Sequence, residues 1–198
     1  GQVLTSGGAG AAVAWEDAAG FDVSSITGAT ALAEQPASDD EMVISDAGTL
    51  KRLDIKHIQN TPAFHVKSPG NGEMASSTDE VIEFSTATYD SDSCYDNSTY
   101  RFTPAVAGKY FLYASLRWHS ATAVATRLNI QIKKNGAEGL SGRNNGVDYS
   151  IVSCSGIIIL DADDYVECSG FHNFDDPYNI TTDFDLSYFG GFRISGVA

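Results

Sequence analysis

Acidic side chains crowd several turn-like segments of the chain. Asp90, Asp92 and Asp96 fall within YDSDSCYDNS; Asp161, Asp163 and Asp164 share one turn; Asp175 and Asp176 lie in FHNFDDPYN, with Asp183 and Asp185 close behind. Calcium takes hard oxygen ligands that converge from loops, so Asp90, Asp92, Asp96, Asp163 and Asp164 are candidate Ca²⁺ ligands. The spacing is not that of a helix–loop–helix calcium loop. Asp also favours turns for its own sake, because its carboxylate bonds the local backbone, and excess charge keeps a particle dispersed.

Two further loops carry recognition chemistry. GRNNGVDY (142–149) and GFHNFDDPYN (170–179) combine amides, aromatics and glycines, which give contact area at small entropic cost. Their candidate ligand contacts are Arg143, Asn144, Asn145, Tyr149, His172, Asn173 and Tyr178. Catalysis finds less support. The four histidines, His57, His65, His119 and His172, are scattered, and the chain has no Gly-x-Ser-x-Gly elbow, His-Glu-x-x-His or phosphate loop. A binding protein is expected, not an enzyme.

The balance of charge narrows the partners. Of 198 residues, 26 are acidic and 12 basic, a net of −14, which repels phosphate backbones and excludes nucleic acid as an expected partner. No apolar run reaches membrane-spanning length, so no insertion is expected. Cys94, Cys154 and Cys168 form no tight pair; buried thiols are expected, with a Cys154–Cys168 bridge as the alternative. Asn97-Ser98-Thr99 and Asn179-Ile180-Thr181 match the glycosylation pattern. The opening at Gly1, without an initiator Met, is expected of a fragment or a cleaved product.

The elements that must carry these loops read as β. Residues 1–60 hold short apolar pieces, such as Met42-Val43-Ile44, among Gly- and Asp-rich turns; neither half buries a core alone. Leu50 to Ile58 fits a short helix or a strand equally. From Thr61, short runs at Ala63–Val66, Val81–Ser85, Tyr100–Phe102, Lys109–Trp118, Arg127–Lys133, Tyr149–Leu160, Tyr165–Cys168 and Leu186–Ile194 alternate with turn signals, Asn135-Gly136 the strongest. An antiparallel β-sandwich or jelly roll of about ten strands is expected. Two runs are apolar in both phases. In 109–118, Tyr110, Leu112, Ala114, Leu116 and Trp118 share one phase, while Phe111 and Tyr113 hold the other; Ile157 to Leu160 is similar. With no helix to cover the second face, another copy of the domain is the expected cover, and which phase faces it stays open.

Phe84, Asp90, Tyr95, Phe102, Gly108 and Tyr110 stand in the register of a known signature. Lys133-Lys134-Asn135-Gly136, the run Ser155–Leu160 and the closing Ser187–Phe192 follow in order. Residues 61–198 thus resemble the trimeric jelly-roll heads of the complement C1q and tumour-necrosis-factor type. Leu112 and Ala114 stand where that signature has aromatics. The resemblance implies a homotrimer with Tyr100, Phe102, Tyr110, Leu112, Tyr113 and Trp118 stacked at the interface. Residues 1–60 resemble connector segments of bacteriophage fibres and form an intertwined stem in that reading; no collagen-type repeat is present. The expectation is the distal head of a phage tail fibre or appendage, located on the virion. It would join other tail proteins through its N-terminus and recognise a glycan or protein on the host surface. The alternatives are an extracellular recognition protein of a cellular organism and a purely structural trimerisation cap.

Overall fold

The fold is taken from a computed structural model, which describes residues 2–6, 8–17, 30, 32, 36, 37, 39–55, 58, 62–69, 73–119, 126–146, 150–174, 178–180 and 186–196. The chain separates into two compact units, Gly1–His57 and Ile58–Ala198.

The first unit contains two hairpins. Strand β1 (Gln2–Ser6) pairs with β2 (Val13–Asp17), and β3 (Glu41–Asp46) with β4 (Thr49–Asp54). The segment that fitted helix or strand from Leu50 is therefore strand as far as Asp54. Its pairing with Met42-Val43-Ile44 decides the matter, a contact that local periodicity does not contain.

The second unit is built from β5 (Ala63–Pro69), β6 (Glu73–Met74), β7 (Asp79–Val81), β8 (Phe84–Asp90), β9 (Tyr95–Asp96), β10 (Arg101–Phe102), β11 (Gly108–His119), β12 (Leu128–Lys134), β13 (Ala137–Asn144), β14 (Ile151–Leu160), β15 (Val166–His172), β16 (Tyr178–Ile180) and β17 (Tyr188–Ser195). All pairings are antiparallel. One sheet runs β13-β12-β15-β10-β9 with β7 on β15; the other runs β6-β16-β11-β17-β5-β8 with β14 on β11. The run expected at Val81–Ser85 splits at Ile82, so that β7 joins one sheet and β8 the other. Asn135 and Gly136 take φ of 52° and 78°, the left-handed pair that closes the β12–β13 hairpin. Three of the expected loop residues, Gly142 to Asn144, belong to β13.

The core lies between the two sheets. Phe64, Val66, Phe84, Tyr110, Leu112, Leu116, Trp118 and Phe189 face Phe102, Leu128, Ile130, Ile132, Val166 and Cys168, all within 1% of full burial. Phe64 stacks on Phe102 with centroids 4.2 Å apart and meets Phe189 edge-on at 4.9 Å.

Each signature residue has a structural reason. Phe84, Tyr95, Phe102 and Tyr110 fill the core. The Asp90 carboxylate accepts the N–H groups of Cys94 and Tyr95, both at 3.0 Å, and fixes the turn into β9. A Cβ on Gly108 would stand 2.7 Å from the Ser195 carbonyl oxygen, so only glycine lets β11 start beside β17.

Candidate assembly face and ligand loops

The structure assigns the two apolar phases of β11. Tyr110, Leu112, Ala114, Leu116 and Trp118 point into the subunit's own core, and Phe111, Tyr113, Ser115 and Arg117 point the other way. The expected interface is corrected accordingly. Phe102, Tyr110, Leu112 and Trp118 are fully buried inside one chain and have no surface to offer a second. Tyr100 is half-buried in a turn at φ 59°, its N–H donated to the Asp96 carbonyl at 2.7 Å. Tyr113 alone of the six lies on the outer face. The sequence could not separate these phases because both are aromatic; only the second sheet, packed on one side, tells them apart.

That outer face is laid out by register. Row by row across β14, β11, β17, β5 and β8 it places Ile157–Phe111–Phe192–Ala63, then Ser155–Tyr113–Gly190–His65–Tyr89, then Ser153–Ser115–Tyr188–Lys67–Thr86. Gly190 is the enabling residue. A Cβ there would fall 2.6 Å from Tyr113 Oη and 2.8 Å from the Phe64 carbonyl oxygen. Its absence lets Tyr113 lie across β17 and reach His65, whose Nδ1 is 3.0 Å from the phenol oxygen. Rings of His65, Tyr89, Tyr113 and Tyr188 then sit 5.6–6.0 Å apart, and Phe111 meets Phe192 at 5.7 Å. Burial, with Lys67 nearby, lowers the His65 pKa; burial and the Tyr89 hydroxyl raise that of Tyr113.

Beside the aromatics, β14 presents Ile151, Ile157 and Ile159, exposed by 46, 59 and 53%. A notch of about 320 Å³ lies between Phe111, Tyr113, Ser153, Ser155 and Tyr188. Phe111, Tyr188, Phe192 and Gly190 were not singled out from the sequence as contact residues. The available signal was the apolar second phase of 109–118 and 157–160.

The ligand loops are placed less uniformly. Arg143, Asn144 and Asn145 are exposed at the end of β13. Asn173 is half-buried and donates Nδ2–H to Thr126 Oγ1 at 2.6 Å. Tyr149 lies outside the described residues, and only the backbone of Tyr178, in β16, is described. His172 is corrected. It is fully buried, with Nε2 2.9 Å from the Met74 carbonyl and Nδ1 accepting the Phe174 N–H at 3.3 Å, so it braces the core instead of meeting a ligand.

The acidic candidates fall in two separate segments, and Asp90, Asp92, Asp96 and Asp164 are occupied locally. Asp92 accepts the Ser91 hydroxyl, and Asp96 accepts from Ser98 and Thr99, which lowers its pKa. Asp164 accepts from Lys134, the Asp161 N–H and Asn135, and its pKa falls to about 2. Asp163 is exposed in the same turn. Among the described residues no group of three or more His, Cys, Asp or Glu is arranged to hold a metal. The three cysteines are free thiols, and burial raises those of Cys154 and Cys168.

The C1q domain family matches residues 63–194. The chain belongs to that family. Its fold is shared with the globular domain of zebrafish complement 1qA protein, at 20% identity and a TM-score of 0.54 over 69% of this chain and all of that one. Murine APRIL follows at 14%, with a TM-score of 0.52 over 67% of this chain and 98% of that one. Eiger TNF from S. frugiperda also stands at 14%, with a TM-score of 0.51 over 69% and 94%. No curated relative matches significantly. The signature departs from the expected aromatics at Leu112 and Ala114, and both positions are core in this C1q domain, where apolar volume is what the site requires.

Proposed function

We propose that this C1q domain works as a homotrimeric recognition head whose three copies meet through the outer face of β11, β14 and β17. The supporting observation is that face itself. A cluster of Phe111, Tyr113, Tyr188 and Phe192 across three rows, flanked by exposed Ile157 and Ile159, is a larger apolar patch than a lone domain needs. A closed cyclic assembly covers three such faces at once. The exposed end of β13 at Arg143, Asn144 and Asn145 and the segment that follows β15 then act in threes, so that weak single contacts add into avidity. Light scattering on the full chain should give close to three times 21.0 kDa; a monomer at micromolar concentration rejects the assembly.

In the finer reading the trimer is the distal head of a phage tail fibre or appendage, joined to other virion proteins through residues 1–60 and attached to a host-surface glycan or protein. Binding of the trimer to intact host cells tests this; trimers that bind no cells leave a structural cap. Calcium at the acidic turns belongs to the same proposal. Chelation with EDTA, followed by added Ca²⁺, tests it through loss and return of binding. One observation favours a secreted protein of a cellular organism instead: Asn97 of the glycosylation pattern is exposed in a turn.

A further inference from the structure

The basic residues of the β13-β12-β15 sheet divide into two kinds. Arg101 pairs with Glu167, Lys133 with Asp79 and Lys134 with Asp164. Arg127 and Arg143 pair with no carboxylate among the described residues. Instead both direct Nε–H to one amide oxygen, Asn129 Oδ1, each at 3.3 Å. The outward side chain of Asn129 is 5% exposed beneath them. Arg127 is further held over the Phe171 ring, with its guanidinium carbon 4.6 Å from the centroid.

Two like charges brought to one neutral acceptor oppose stability, and they do so in a chain of net charge −14 with acids to spare. An amide oxygen satisfies one N–H of each fork and leaves the outer N–H groups free to bind a planar anion. One acid stands in the same row, Asp79 opposite Phe171, and it is paired with Lys133; the nearer neighbours are amides and hydroxyls. Ser141 and Gln131 sit one row along the sheet, Gln131 accepting from Ser169 at 3.5 Å, and Asn144 and Asn145 follow Arg143 in the chain.

We propose that Arg127 and Arg143, clamped on Asn129, form a binding site for the carboxylate of an acidic saccharide, with the neighbouring amides and hydroxyls taking sugar hydroxyls. This deepens the recognition reading above by naming a ligand class. Guanidinium forks match carboxylate geometry, whereas a bare acidic peptide would leave the amide row unused.

The test is calorimetric titration of the full chain with oligogalacturonate, its methyl ester, inorganic phosphate and polyglutamate, with the mass of each sample checked by light scattering. The acid should bind, and the ester, phosphate and polyglutamate should bind at least about tenfold more weakly. Arg127→Gln and Arg143→Gln should each lower affinity roughly tenfold, the loss expected for one charge-assisted hydrogen bond. Arg143→Lys, which keeps charge but not the fork, should fall between. Equal binding by folded Gln variants, by the ester or by polyglutamate overturns the site, as does tighter binding of phosphate or no binding at all. An intact trimer without binding overturns this site and leaves the assembly standing; a monomer that still binds does the reverse.

Discussion

Ile157→Asp separates folding from assembly. Ile157 is 59% exposed in one chain, on the outer row beside Phe111. Full burial of an Ile side chain contributes about 1.5–3 kcal/mol, so covering the exposed part in a trimer contributes about 1–2 kcal/mol per copy. Three copies lose roughly 3–6 kcal/mol, a factor on the order of 10²–10⁴ in the association constant. The introduced carboxylate costs several kcal/mol more wherever a neighbour takes it out of water. The isolated domain should feel little, within about 0.5 kcal/mol, because the site is already open to solvent. Sedimentation velocity across micromolar concentrations should show the wild type as a trimer and Ile157→Asp as a monomer, with the same far-ultraviolet circular dichroism. A variant that stays trimeric refutes the placement of the interface. A variant that unfolds refutes the claim that Ile157 is not core.

Leu112→Asp, on the opposite phase, should abolish folding outright, since it places an unpaired charge in the core; a native circular dichroism spectrum would reject the phase assignment. Gly190→Ala should cost about 1–3 kcal/mol, because the new methyl meets the Tyr113 ring and an immovable Phe64 carbonyl; an unchanged melting temperature would show that β17 yields. Both His65 and His172 have lowered pKa values, chiefly from burial, so the folded chain binds a proton less readily than the unfolded one. Their contribution is complete above about pH 6.5 and is lost as pH falls below it, as scanning calorimetry between pH 8 and 5 should show; a flat profile contradicts it. In the first unit, Leu4, Val13 and Trp15 share one hairpin face and are 55, 62 and 66% exposed. A two-stranded hairpin is marginal alone, so that face should be covered by other copies: acrylamide should quench Trp15 weakly in the trimer and strongly in monomeric Ile157→Asp.

The long strands β5, β11, β12, β14, β15 and β17, the hairpin at Asn135-Gly136 and the family were legible in the sequence, because alternation, turn chemistry and the spacing of Phe84, Asp90, Tyr95, Phe102, Gly108 and Tyr110 are local properties of the chain. It also carried the anomaly that mattered, a β11 with aromatics in both phases. Which phase is which follows from the packing of the second sheet, since burial depends on what that sheet covers and nothing in 109–118 records it. The same holds for the candidate sites. His172 looks like a loop ligand in sequence and becomes core once Met74, distant in the chain, closes over it. Arg143 stands out in sequence as a loop contact, but Arg127, sixteen positions away, does not; the two converge because β12 and β13 pair with Asn129 opposite Arg143. Register across strands, not spacing along the chain, sets which side chains can act together.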